Sequence, residues 1–211
     1  MKVTVFGATG GIGRRVVEEL LWDGHEVTVL FRDSHGLSAE VARMVRVVRG
    51  ELPDGEAIDQ AVEGAEAVVW AVGPTSNTPG QPTLYEAAAA RLVRAMVRRG
   101  IRRLIALSGA AVTMPGERKP LAGRLMSWVV GRAVRHVVAT KERELAVFTA
   151  SGLDWTLVRP PRVVDGAARG GISLADQVRS ARVTQGDVAA AIVALLRPDG
   201  ARYVHRAPYV A

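Results

Sequence analysis

The stretch VTVFGATGGIGRRV, Val3 to Val16, constrains the fold more than any other part of this 211-residue chain. Val3 to Phe6 form a short run of strand character, and Ile12, Val16, Val17, Leu20 and Leu21 recur at helical spacing just behind it. Between them stand Gly7, Gly10 and Gly13 in the pattern GxxGxxG. Glycine permits a tight turn, close approach of the backbone to a ligand phosphate, and close packing of helix on sheet. The helix behind such a turn offers free N–H groups and the positive end of its dipole, which suits a diphosphate. Gly7, Thr9, Gly10, Gly11, Ile12 and Gly13 are thus candidate nucleotide-binding residues. Thr9 is read two ways, as a hydroxyl donor to a phosphate or as a cap of the helix.

The alternation continues along the chain. Val27 to Phe31, Val45 to Val48, Ala67 to Val72, Leu104 to Leu107 and Trp155 to Val158 are short apolar runs, as expected of parallel strands buried on both faces. Helical faces lie between them: Ala88, Ala89, Leu92, Val93, Met96 and Val97 with Gly100 as a stop, and Val188, Ala189, Ile192, Val193 and Leu196 behind Asp187 as a cap. This pattern predicts an α/β fold, a Rossmann-type doubly wound parallel sheet in three αβα layers. One nucleotide-binding domain over residues 1–211 is expected, with substrate-side loops at about 73–83, 109–130 and 160–178. Met114, Leu121, Leu125, Met126 and Trp128 would form either an apolar lid over a substrate or ordinary helix packing. A long helix over Ser127 to Phe148 would serve either a twin subunit or its own sheet, so monomer and homodimer both stay open.

Composition closes off other classes. The chain has no cysteine, and its four histidines are scattered, so no metal site is expected. The net charge of +7 raises nucleic acid as a partner, but the arginines are spread along the chain and the aromatics are few, so none is expected. The opening MKVTVFG lacks the features of a secretory signal, and arginines interrupt the longest apolar stretch. A cytoplasmic protein with no membrane span and a small-molecule substrate is the expectation.

The second strand ends in Arg32 and Asp33, where the adenine ribose lies in a dinucleotide fold. Arg32 would pair with a 2′-phosphate, selecting NADP(H); Asp33 would instead hold a 2′-hydroxyl, selecting NAD(H). The arginine favours NADP(H), with NAD(H) left open.

GATGGIG, LSGAAV, SGLDWTLVRPPRV and SARVTQGDVAAAIVALL together resemble the atypical short-chain dehydrogenase/reductases. Within them the resemblance is to small NAD(P)H-binding proteins that include the flavin and biliverdin-IXβ reductases and the NmrA-like proteins. It covers nearly the whole chain and implies further cofactor contacts at Glu51 and Leu52 (adenine), Ala71, Val72 and Gly73 (ribose), and Pro160 and Pro161 (nicotinamide). It also implies Ser108 as a hydroxyl near the reacting carbonyl. Lys141, one of three lysines against twenty-five arginines, falls on the family's lysine, which binds the nicotinamide ribose and adds local positive charge. The alternative is a lysine on a solvated helix face.

The family's tyrosine, the usual proton donor four residues earlier, is Val137 here. His136 and Tyr85 are weaker candidates for that role. The leading expectation is an NADP(H)-dependent oxidoreductase passing a hydride to a small, largely apolar, aromatic or conjugated acceptor of flavin, quinone or secondary-metabolite type. The alternatives are an NmrA-like dinucleotide sensor, and a cofactor-retaining isomerase, epimerase or cyclase.

Overall fold

The computed structural model describes residues 1–32, 36–74, 76–114, 117 and 132–211. Asp33 lies outside the described residues, as do Leu121, Leu125, Met126, Trp128 and the start of the expected long helix. Six strands, β1 (Lys2–Phe6), β2 (Glu26–Phe31), β3 (Arg46–Arg49), β4 (Ala67–Trp70), β5 (Arg103–Leu107) and β6 (Asp154–Val158), form one parallel sheet in the order β3-β2-β1-β4-β5-β6. The order reverses direction between β1 and β4, so the crevice of a doubly wound sheet opens above the carboxyl ends of these two strands.

Alternation along each strand explains the two cores. Val3, Val5, Val69 and Ile105 face α1 (Gly11–Trp22) and the C-terminal helix, whereas Phe6, Val68, Trp70 and Leu104 face the other layer. That other layer holds α3 (Gly55–Ala61), α4 (Gln81–Arg98) and α5 (Arg135–Thr149), and α4 packs along α5. α6 (Gln185–Ala194) packs along α1. A short α2 (Ala39–Met44) precedes β3. Gly100 follows α4 with φ +68°, the left-handed turn that its sequence position predicts.

The region expected as a loop at 160–178 contains two short strands. β7 (Arg162–Val164) pairs parallel with β9 (Arg182–Thr184), and β8 (Leu174–Ala175) pairs antiparallel with β10 (Tyr209–Val210). Asp187 is not the cap of α6. Thr184 is the cap, and its Oγ1 accepts from the Asp187 amide at 3.0 Å while Asp187 accepts from the Thr184 amide at 3.0 Å, a reciprocal capping box.

The buried Asp187 carboxylate also accepts from the Arg169 amide and Nε, each at 2.8 Å. Burial alone would raise its pKa, but these donors outweigh burial and hold it below the usual aspartate value. Its stabilisation is therefore complete above the unfolded pKa of about 3.9 and disappears as pH falls through the lower folded value. Asp187→Asn should cost about 1–3 kcal/mol at pH 7 in a urea titration, and the gap to wild type should close in acid. A gap that persisted at low pH would contradict this role.

Candidate functional site

The glycine turn is built so that side chains have no room. Gly7 has φ +82°, and a Cβ there would stand 2.7 Å from the Ala71 carbonyl oxygen and 2.9 Å from the Val72 nitrogen. A Cβ on Gly13 would overlap the Gly7 carbonyl oxygen. The Gly10 amide donates to that same oxygen at 3.1 Å, which closes the turn. β1, β4 and the start of α1 thus converge with Thr9, Gly10 and Gly11 exposed above them. Gly10, with no side-chain bond, is the cap of α1, so Thr9 does not cap the helix. Thr9 instead lies against Gly36, which brings the segment after β2 up to the turn.

At the ends of β2 and β3, Arg32 Nη1 stands 3.5 Å from Glu51 Oε1, and the Arg32 side chain is 80% exposed. So exposed and long a pair contributes little to stability. It leaves the guanidinium accessible at the carboxyl ends of β2 and β3. Leu52 packs at the edge of the core below it.

Lys141 is not on a solvated face. It is 8% exposed, donates to the Val72 carbonyl and pairs with Glu144 Oε2 at 2.7 Å. Glu144, 2% exposed, also accepts from Trp70 Nε1 at 3.0 Å. The lysine therefore adds no uncompensated positive charge, contrary to what the resemblance implies. It ties α5 to the backbone at the end of β4, beside Gly7 and Ala71. Glu144 carries a clear sequence signal, since Lys141, Glu144, Leu145 and Phe148 share one helix face.

The Ser108 amide donates to the Val158 carbonyl at 2.9 Å, which fixes the end of β5 against the end of β6. Its Oγ is buried and has no hydrogen-bond partner among the described residues. Pro160 is buried and Pro161 half-buried just beyond β6, and the Pro160 carbonyl accepts from the Ala110 amide at 3.1 Å. Val137 is half-buried one turn before Lys141.

The tyrosine hydroxyls and the His136 ring each have a hydrogen-bond partner. The Tyr85 hydroxyl donates to the Gly73 carbonyl at 3.2 Å, and the Tyr203 hydroxyl to Leu174. The His136 ring accepts from Arg135 Nε at 3.0 Å. Tyr209 donates to Glu117 Oε1 at 2.7 Å, and Glu117 Oε2 accepts from Arg159 at 2.7 Å. Arg159, 4% exposed, stacks on the Tyr209 ring and also donates to Ala207. Burial and the bond to Glu117 push the Tyr209 pKa up to about 12. For Glu117 burial works in the opposite direction to Arg159, the Met114 amide and Tyr209, and the donors hold it below its usual range. This cluster ties the end of β6, Glu117 and the C-terminal strand together, and a phenol so raised is a weak acid.

A parallel sheet of this order, with a glycine turn at its switch point, is a Rossmann-type nucleotide-binding fold. Residues 7–199 match the NAD(P)H-binding family. The chain belongs to that family, and NAD(P)H is the cofactor that membership implies.

The chain is 31% identical over 196 residues to the (4-alkanoyl-5-oxo-2,5-dihydrofuran-3-yl)methyl phosphate reductase of Streptomyces griseus, covering 93% of this chain and 58% of that protein. It is 27% identical over 201 residues to the uncharacterized sugar epimerase YhfK of Bacillus subtilis, covering 93% and 88%. A short-chain dehydrogenase/reductase of Veillonella parvula, solved in complex with NADP, superposes with a TM-score of 0.83 at 23% identity, covering 100% and 94%. No helix among the described residues is long and apolar enough to cross a membrane.

Proposed function

We propose that this protein is an NADP(H)-dependent reductase that passes a hydride to a small, largely apolar, conjugated or aromatic acceptor, of the flavin, quinone or secondary-metabolite type. The observation that carries this reading is the closed approach of Gly7 to Ala71 and of Gly13 to Gly7, which leaves the diphosphate-binding backbone bare. When bound, the nicotinamide supplies a hydride and leaves oxidised, while solvent supplies the proton that balances the product.

This chain's residues bind and orient. The first turn of α1 receives the diphosphate, and Arg32 pairs with the 2′-phosphate. Glu51 and Leu52 flank the adenine, with Ala71 to Gly73 along the ribose. Lys141 and Glu144 act as a neutral pair that holds the Val72 backbone in place. The buried Ser108 hydroxyl, unpartnered among the described residues, orients an acceptor carbonyl. Pro160 and Pro161 stiffen the nicotinamide wall. Among the described residues, the loop residues 73–74, 76–80 and 109–114 and the segment that carries β7 and β8 complete the acceptor side. A conjugated acceptor fits the lack of a tyrosine at Val137, because delocalised charge needs no strong acid. The unsaturated oxo-dihydrofuran in the name of the Streptomyces relative supports the same acceptor class.

The valine at 137 also favours a second reading, a cofactor-retaining isomerase, epimerase or sensor, in which NADPH is bound but not consumed. Fluorescence titration with NADPH and NADH tests the nucleotide assignment. Arg32→Ala should weaken NADPH about tenfold, or about 1.4 kcal/mol, and change NADH far less. Equal losses for both nucleotides would remove Arg32 from phosphate recognition.

A further inference from the structure

Gln185 is a polar side chain that neither the fold nor the reading above uses. It opens α6, directly after the cap residue Thr184. Its carboxamide lies against Gly11, so that a Cβ on Gly11 would stand 2.8 Å from Gln185 Cδ and 2.9 Å from its Oε1. Gly11 is the first residue of α1, at the mouth of the glycine turn. The Gln185 Oε1 is buried and has no hydrogen-bond partner among the described residues. A buried carboxamide oxygen without a partner carries a desolvation cost that a ligand can relieve.

The backbone beneath Gln185 is pinned on every side. Besides the Thr184–Asp187 capping box, Thr184 Oγ1 donates to the Ala167 carbonyl at 2.8 Å, and the Gly186 amide donates to the Gly166 carbonyl at 3.0 Å. Gly186 sits so close to Ala167 and Ala168 that no Cβ would fit. Arg15 reaches Asp165 at 3.3 Å and so joins α1 to the same segment. The carboxamide is therefore held over the turn by a rigid base. It also carries both a donor and an acceptor, which a flip of the amide exchanges.

We propose that Gln185 is a cofactor-binding residue, whose carboxamide hydrogen-bonds the diphosphate–ribose segment of the dinucleotide above Gly11. This rests on the dinucleotide reading and deepens it: the phosphate site is built from two helix starts, α1 and α6, rather than from the glycine turn alone. The α6 contribution reaches the diphosphate and the ribose beyond it, whereas Arg32 serves the adenosine end.

The test is calorimetry on the full chain with two ligands, NADPH and adenosine 2′,5′-bisphosphate, which keeps the 2′-phosphate but lacks the diphosphate bridge and the second ribose. Gln185→Ala should weaken NADPH roughly tenfold, the worth of one hydrogen bond to a charged group, and leave the bisphosphate unchanged. Arg32→Ala should weaken both. Gly11→Ala should displace the carboxamide, weakening NADPH in the wild-type background but adding little to Gln185→Ala. Gln185→Glu separates the two atoms contacted: a further loss means diphosphate, and a retained affinity means a ribose hydroxyl.

Unchanged NADPH affinity in Gln185→Ala would overturn the proposal. So would an equal loss on both ligands with a lowered melting temperature, which would mark Gln185 as packing only. If wild type bound neither ligand, the dinucleotide reading itself would fall.

Discussion

Glu144→Ala should lower the stability of this protein by about 3–5 kcal/mol, the cost of stranding one member of a buried ion pair. The mutation leaves the Lys141 ammonium, 8% exposed, with the Val72 carbonyl as its one partner among the described residues, and leaves Trp70 Nε1 without its acceptor. For a chain of this size the melting temperature should fall by roughly 10 °C. Lys141→Met alone should be similarly costly, because it strands a carboxylate that is 2% exposed. The double variant Lys141→Met, Glu144→Leu should recover much of the loss, since two apolar groups of similar volume remove both charges together. Urea unfolding of the three variants checks this. Additive losses in the double variant would mean the two side chains are not a pair, and a loss below 1 kcal/mol for Glu144→Ala would mean the pair is hydrated.

Gly13→Ala should weaken NADPH by roughly a hundredfold or more, about 2.8 kcal/mol. The added methyl would collide with the Gly7 carbonyl oxygen, a backbone atom that cannot rotate away. Relief requires α1 to slide off the turn, and its first N–H groups then no longer converge on the diphosphate. Gly55→Ala is the control, since a Cβ there meets nothing nearer than 3.9 Å. It should leave the affinity unchanged. Comparable binding by Gly13→Ala and wild type would show that the ligand does not use this turn.

The sheet and its principal helices were legible because a parallel strand buried on both faces is a continuous apolar run, and each run here lies between helical repeats. The short helices α2 and α3 were missed as elements, although Ser38 and Asp54 accept from the first-turn amides and are ordinary cap residues. Six or seven residues hold too few periods for an apolar face to stand out. The strands β7 to β10 were invisible for a related reason, as two or three residues make no alternation. Lys141 reaches the backbone at the end of β4, and its charge balance depended on which of Glu142 and Glu144 turns inward. Helix phase settles that once Phe148 and Leu145 are taken as the buried face. Arg159, Glu117 and Tyr209 could not be joined from sequence, because they meet across long separations through the C-terminal strand. Gln185 was hidden in the same way, since its meaning comes only from the packing of α6 against the start of α1.

The most direct measurement of the central claim is NADPH oxidation, followed at the reduced nicotinamide band with flavin, quinone and unsaturated lactone acceptors, for wild type and Gly13→Ala together. The account predicts oxidation of one NADPH per acceptor reduced by wild type, with NADH slower, and none above background for Gly13→Ala. NADPH that binds tightly yet is consumed with no acceptor, or oxidation that survives Gly13→Ala, would contradict it.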